Sequence, residues 1–169
     1  IGALDGKHVN IRAPPNSGSL YFNYKYNFSV VLMALVDADY CFTVIDVGAY
    51  GRDSDGGVFA KSKMAKYFDE NLLNIPPHKN LPKSNMKSPH VIVADDAFPL
   101  KPYIMKPYPR KSLNDNDMQN TSDGENEQIA KKIFNYRFSR ARRIVENAFD
   151  ILAARWRIFS RPISFEPDN

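Results

Sequence analysis

Val91-Ile92-Val93-Ala94-Asp95-Asp96 is a short apolar run that stops on two adjacent carboxylates. Four apolar residues without polar alternation are expected of a strand buried on both faces. A sheet covered on both faces needs helices on either side, so the run points to an α/β domain. Its flanks are irregular. Residues 74–90 hold four prolines among Lys, Asn and Ser and read as loop. Downstream, Pro99, Pro102, Pro107 and Pro109 limit any helix to short pieces.

Further out, the N-terminal third reads as strands. Ala3, Leu4, Val9 and Ile11 alternate loosely around Asp5-Gly6, as in a strand with a bend or hairpin. Pro14 to Gly18 is a turn. Tyr26 to Val36 is apolar and β-branched, Asp37-Ala38-Asp39 is a turn, and Phe42 to Val47 is another strand. Three strands with short turns predict an antiparallel meander. Residues 50–57 form a polar, glycine-rich loop. A helix follows, with Val58, Phe59, Met64, Ala65, Tyr67 and Phe68 at its apolar positions. Residues 112–127 lack apolar anchors and read as a mobile surface insertion. Over 137–158, Ala141, Val145, Ala148, Phe149, Leu152, Trp156 and Phe159 recur at three- and four-residue steps, which predicts a long helix. The order implies one mixed α/β domain over 1–163, with loop insertions at 74–90 and 111–128 and a tail over 164–169.

Bulk properties narrow the class. A chain of 169 residues suffices for one domain and hardly two. At 43% apolar it can bury a core, which argues against global disorder. No run approaches the ~20 apolar residues of a membrane span. Cys41 is the single cysteine, so a disulfide framework is excluded and a cysteine-based zinc site is disfavoured. A net charge of +4 favours a polyanionic partner only weakly. Ile1-Gly2-Ala3-Leu4-Asp5 looks like the inside of a strand, so the chain is expected to be a fragment of a longer protein.

Four carboxylates stand where a core element ends or meets a cleft: Asp5, Asp55, Asp95 and Glu146. In open α/β sheets, sites gather outside the carboxyl ends of strands. A hard cation such as Mg²⁺ is bound there by one or two carboxylates plus water and substrate phosphate. Two such ions a few Å apart serve phosphodiester cleavage. Glu146 projects to the border between the buried and solvent faces of its helix, beside Arg142, Ala153 and Arg157. Each acid also has a plain alternative. Asp5-Gly6 is a common turn dipeptide. Asp53, Ser54 or Asp55 would cap the next helix, and Asp95 or Asp96 a helix starting at Ala97. Glu146 would pair with Arg142 or Arg143 on the surface.

The surroundings of these acids form ordered blocks. Gly2-Ala3-Leu4-Asp5-Gly6-Lys7-His8-Val9 resembles the first catalytic block of the PIF/Harbinger-type transposases, the DDE superfamily endonucleases. Asn23-Tyr24-Lys25 with Ser29 resembles their Asn-x-Lys segment, and Val36-Asp37-Ala38 the turn after it. Gly51-Arg52-Asp53-Ser54-Asp55-Gly56-Gly57-Val58-Phe59 and Ala94-Asp95-Asp96-Ala97-Phe98-Pro99-Leu100 are similar to the next two blocks. Phe134-Asn135 through Arg142, Val145-Glu146-Asn147-Ala148-Phe149, Leu152 and Arg155-Trp156-Arg157-Ile158 resemble the closing helix. The resemblance covers nearly the whole chain. It implies a ribonuclease-H-like fold, a mixed sheet flanked by helices. It implies Asp5, Asp95 and Glu146 as the acidic triad and Asp55 as a further metal ligand, with Mg²⁺ or Mn²⁺ as the ion. Phe98 sets the register that selects Asp95 over Asp96. Ala94 departs from the family by replacing a common glycine. The family's upstream helix-turn-helix segment has no counterpart in these residues.

For the DNA itself, the closing helix is rich in arginine, and arginine binds phosphate bidentately. Arg142 and Arg157 share the side of Glu146, and Lys7 and Lys25 lie near the proposed cleft; these four are the expected DNA contacts. His8 is expected to be structural or a phosphate contact, not a general base. The expected function is metal-dependent DNA cleavage and strand transfer on transposon ends and target DNA, in the nucleus. A homo-oligomer and a Myb-like accessory protein are expected partners. A domesticated descendant that keeps the fold as a DNA or chromatin interaction module is the competing reading. A glycosidase using two carboxylates explains none of the ordered blocks.

Overall fold

The structure, a computed structural model, describes residues 1–113 and 122–164, with residues 122 and 123 described by backbone alone. The first three strands are β1 (Gly2–Asn10), β2 (Ser29–Val36) and β3 (Phe42–Tyr50). They form the antiparallel meander. Asp37 closes the second turn, its Oδ1 accepting from the amides of Asp39 and Cys41 at 2.9 and 3.0 Å. Two short helices follow, α1 (Asp55–Lys61) and α2 (Lys63–Asp69), then a two-residue hairpin of β4 (Lys79–Asn80) and β5 (Lys87–Ser88). The apolar run supplies β6 (Ile92–Ala94), and the proline-rich stretch contains a short β7 (Ile104–Met105). The long helix α3 (Ser122–Arg155) precedes a 3-10 turn over Arg157–Ser160.

Five strands make one sheet in the order β3-β2-β1-β6-β7. The last two run parallel to β1 and the first three alternate, which gives a ribonuclease-H-like mixed sheet. Strand β2 shows why both faces must be covered. Its odd residues Val31, Met33 and Leu35 pack with Leu4, Phe59, Phe68, Ile92 and Phe98 on the side of α1 and α2. Its even residues Leu32, Ala34 and Val36 pack with Ala3, Val9, Val145, Ala148 and Phe149 on the side of α3. The two-residue period of a strand therefore feeds two separate cores.

Several boundaries differ from those the sequence predicts. Residues 2–10 form one continuous strand, so Asp5-Gly6 is neither a bend nor a strand end. The pairing of Asp5 with Ala34 and Gly6 with Met33 holds them straight. The predicted single helix after the glycine-rich loop breaks at Ser62, whose hydroxyl accepts from the Ala65 amide and donates to the Phe59 carbonyl. The loop over 74–90 contains the β4–β5 hairpin, and β7 lies within a stretch where proline suggested only short irregular pieces. The closing helix starts at Ser122 rather than 137, so residues 122–127 of the predicted insertion are helical. That extension buries little apolar surface, with Ile129 and Ile133 exposed. Local terms support it instead, such as the Lys131–Glu127 pair at 2.7 Å. Residues 114–121 of the insertion, and 165–169 of the tail, lie outside the described residues. At the other end α3 stops at Arg155. Trp156 falls at the break and is 64% exposed, not part of the core face.

Asn135 also has a fold role. Its amide donates to the Tyr108 carbonyl and accepts from the Tyr108 amide, both at 2.9 Å, tying α3 to the segment after β7.

The two-core arrangement predicts uneven tolerance. Phe59→Ala removes a ring packed edge-on against Phe98 at 5.9 Å and is expected to cost about 3–5 kcal/mol. Ile45→Ala, on a residue 58% exposed, should change stability by less than about 0.5 kcal/mol. Urea unfolding of both variants measures the contrast.

Candidate metal centre

The parallel register of β1 and β6 pairs Leu4 with Ala94, which brings Asp5 and Asp95 side by side. Asp55 arrives from below as the first residue of α1, after Ser54 has capped that helix by accepting from the Gly57 amide. One ligand atom each from Asp5, Asp55 and Asp95 lies within 4.8 Å of the others. Among the described residues this is the group of acidic, histidine or cysteine side chains close enough to share a cation. All the donors are carboxylate oxygens, which suit a hard divalent ion and not a thiophilic one.

The approach depends on two glycines. A Cβ on Gly6 would collide with the Asp55 carboxylate, and a Cβ on Gly56 with the Ala97 carbonyl. Their bare backbones let the α1 terminus sit directly against β1 and against the loop after β6. That loop is itself fixed. Asp95 Oδ1 accepts from the Ala97 amide at 2.8 Å, and Phe98 is buried in the core. No helix begins at Ala97. Asp96 turns away and pairs with Lys106 at 3.2 Å. The register set by Phe98 therefore separates two adjacent aspartates into one cleft residue and one surface residue.

Glu146 lies outside the three-aspartate group. It pairs with Arg142 one helical turn earlier, and Arg142 Nη1 reaches Asp5 Oδ2 at 3.3 Å. The glutamate thus approaches Asp5 through an intervening guanidinium. Asp5 is otherwise supported by a 3.0 Å bond from the Gly6 amide.

Crowding carboxylates in a half-buried site raises the cost of their charge. Burial pushes the Asp5 carboxyl up to about 6, with Asp95 and Glu146 adding to the rise and Gly6 and Arg142 opposing it. Burial likewise pushes Asp55 up to about 6, aided by Asp5 and Asp95 and opposed by Lys25. Asp55 Oδ1 is buried without a hydrogen-bond partner. Such an atom is costly unless something positive meets it. The residues present thus fit a divalent cation, and they fit nothing neutral as well.

The remaining predicted contacts are scattered. Lys25 is exposed on a turn built by Asn23, whose side-chain oxygen accepts from the amides of Lys25 and Asn27. Asn23 is buried and donates to Ser29 Oγ at 2.8 Å, and the same hydroxyl meets His8 Nδ1 at 2.9 Å. Burial holds His8 below its ordinary range, with Lys25 adding to the effect. His8 is therefore a neutral strut. Lys7 points to the α3 side, its Nζ 5.7 Å from the Phe149 ring centre, and does not join the aspartates. Arg157 belongs to the 3-10 turn, so the helical projection that aligned it with Glu146 does not extend to it. It lines a surface hollow with Ala153, Ala154, Ser160 and Arg161. Asn23, Ser29 and Gly6 carry positioning roles that spacing alone gave no reason to assign.

This site sits on a ribonuclease-H-like sheet, where the middle of β1 meets the carboxyl end of β6, and residues 4–169 match the family described as DDE superfamily endonuclease. The chain belongs to that family. It is similar to the Protein ALP1-like of Arabidopsis thaliana, 29% identical over 172 residues that cover 99% of this chain and 38% of that protein. The chain thus spans well under half the length of this curated relative. No solved structure matches it. No helix among the described residues is long and apolar enough to cross a membrane.

The raised carboxyls carry a pH signature. Between about pH 4 and 6 the folded protein keeps protons that the unfolded chain has released, so metal-free stability should fall as pH rises through that window. Asp55→Asn deletes one of the charges. In EDTA at pH 7.5 it is expected to raise stability by on the order of 1 kcal/mol, and to make little difference near pH 4. Thermal melts at both pH values measure the difference.

Proposed function

We propose that this chain is the catalytic domain of a cut-and-paste transposase, or of a nuclease derived from one, and that it cleaves DNA and joins strands using Mg²⁺ or Mn²⁺. One observation carries the reading. Three aspartates from separate parts of the chain converge within sharing distance of one cation, and one of their oxygens is buried without a partner. A structural cluster would be expected to neutralise itself; here Arg142 offsets charge at Asp5, while the buried Asp55 oxygen keeps no hydrogen-bond partner. Asp5, Asp55 and Asp95 would hold the metal, with Glu146 completing the set from α3.

A divalent ion held by these aspartates would supply Lewis-acid activation of the attacking oxygen and charge stabilisation of the leaving one, chemistry that needs no covalent enzyme intermediate. The protein's own residues do the rest. Asp5 and Asp95 keep fixed positions because one is paired within the sheet and the other is tethered to the Ala97 amide. Lys25, on its Asn23-built turn, faces the cluster closely enough to oppose the rise of Asp55, and a phosphate entering there would meet it. Arg137, Arg140 and Arg143 are exposed along α3 and add sequence-independent attraction for the DNA backbone. Arg157 and Lys7 would contribute further from the cluster. In this reading the catalytic unit spans 1–163 and acts in the nucleus. An upstream DNA-binding segment or a Myb-like accessory protein would select the site, and self-association would pair two DNA ends.

Asp95→Asn preserves size and removes the charge a cation needs. Nicking of a terminal-repeat duplex in Mg²⁺ or Mn²⁺ should fall to background, while DNA binding by gel shift stays equal or tightens. Full nicking by this variant, or none by the wild type, would instead favour the domesticated interaction module.

A further inference from the structure

Arg142 stands out among the arginines of α3. Arg137, Arg140, Arg143 and Arg155 are exposed, whereas the Arg142 side chain is only 26% exposed. It meets Asp5 with one nitrogen and Glu146 with another. Asp5 is 16% exposed, so its attraction to the guanidinium is screened little by water or salt. Arg142 and Glu146 lie one turn apart on the face of α3 that looks toward β1, so the pair arrives together from one helix. The guanidinium therefore occupies the space through which Glu146 would reach the aspartates.

From this geometry we infer that Arg142 is a built-in counter-ion, which bridges Asp5 and Glu146 while the centre holds no divalent ion and is displaced from them when one binds. The inference rests on the proposed metal role of Asp5, Asp55 and Asp95. A divalent ion needs carboxylate oxygens at roughly 2.0–2.6 Å and offers two positive charges. A guanidinium offers one, at hydrogen-bonding range. Both would draw on the charge of one Asp5 carboxylate, and two cations set side by side repel, so each weakens the other's hold. Arg142 is thus a positioning residue with two settings. It keeps the acidic site compact without metal, and once both carboxylates are released it is available to a phosphate oxygen.

The sign of one measurement separates this from a plain scaffold. If Arg142 merely holds Asp5 and Glu146 in place for the ion, removing its charge loosens metal binding. If it competes with the ion, removing its charge tightens binding. Mn²⁺ titration followed by the electron paramagnetic resonance of the free ion reads affinity without reference to cleavage. Arg142→Gln is expected to bind Mn²⁺ about tenfold more tightly than wild type, the effect of breaking one charge-assisted contact less. Arg142→Lys, which keeps the charge, should fall between the two. Equal or weaker binding by Arg142→Gln overturns the inference. Absence of Mn²⁺ binding in wild type and both variants overturns the metal reading itself, and the inference with it. A measurement on unmodified protein guards against a misfolded variant. In the ¹⁵N spectrum of arginine side chains, the Arg142 signal should move from an ion-paired to a free position as Mg²⁺ is added. An Arg142 signal that stays in place while Mg²⁺ saturates the site also overturns it.

Discussion

Between β1 and β6 the chain solves a problem of electrostatics with one of packing. The parallel register sets Leu4 beside Ala94 in the core, and the residue that follows each in the chain is an aspartate. Two carboxylates side by side repel, and a third from α1 makes the repulsion worse. What holds them there is apolar: Leu4, Ile92, Ala94, Phe59 and Phe98 are all buried in the layer beneath, so the acids cannot separate without opening that core. The burial that secures the strands also raises the carboxyls above their ordinary range. Stability elsewhere in the sheet is thus set against local electrostatic strain around Asp5, an arrangement that recurs where proteins bind ions or substrates.

Helix α3 supplies the other half of that balance. Val145, Ala148 and Phe149 anchor it to the opposite face of the sheet, and this anchoring fixes where Arg142 and Glu146 can reach. Because Val145 immediately precedes Glu146, the most buried point of the helix and its acidic residue are neighbours. A shift of the helix against the sheet would move the glutamate and its arginine together. Helix packing and the placing of the Arg142–Glu146 pair beside Asp5 are therefore coupled through one turn of backbone.

Much of this was legible in the residues, and the exceptions have physical causes. The period-two pattern of β2 and the unbroken apolar run of β6 reflect burial, which is what hydrophobic patterning records. The start of α3 was hidden because its first four turns lean on local charge pairs and expose Ile129 and Ile133, so no core periodicity marks them. Asp5-Gly6 misled in the other direction. The pair is common in turns, yet here Gly6 serves a tertiary need, room for Asp55, that only the folded chain reveals. The converging aspartates stand out first as carboxylates beside core elements, and only the ordered blocks with their family resemblance favour a metal over a cap or turn. The bridging place of Arg142 could not be read from a helical projection, which shows the side a residue faces but not what it meets there.

Arg142 and Asp5 are 137 residues apart in the chain and in direct contact in the fold. The acidic centre is assembled from pieces near residues 5, 55, 95 and 146, so no stretch of this chain contains it in advance. During synthesis the N-terminal strands emerge first, and elements fold as their partners become available. A nascent chain that has emerged only as far as β6 carries the three aspartates but neither Glu146 nor the arginine that balances Asp5. Completion of α3 is therefore the step that brings a counter-charge to a set of mutually repelling acids.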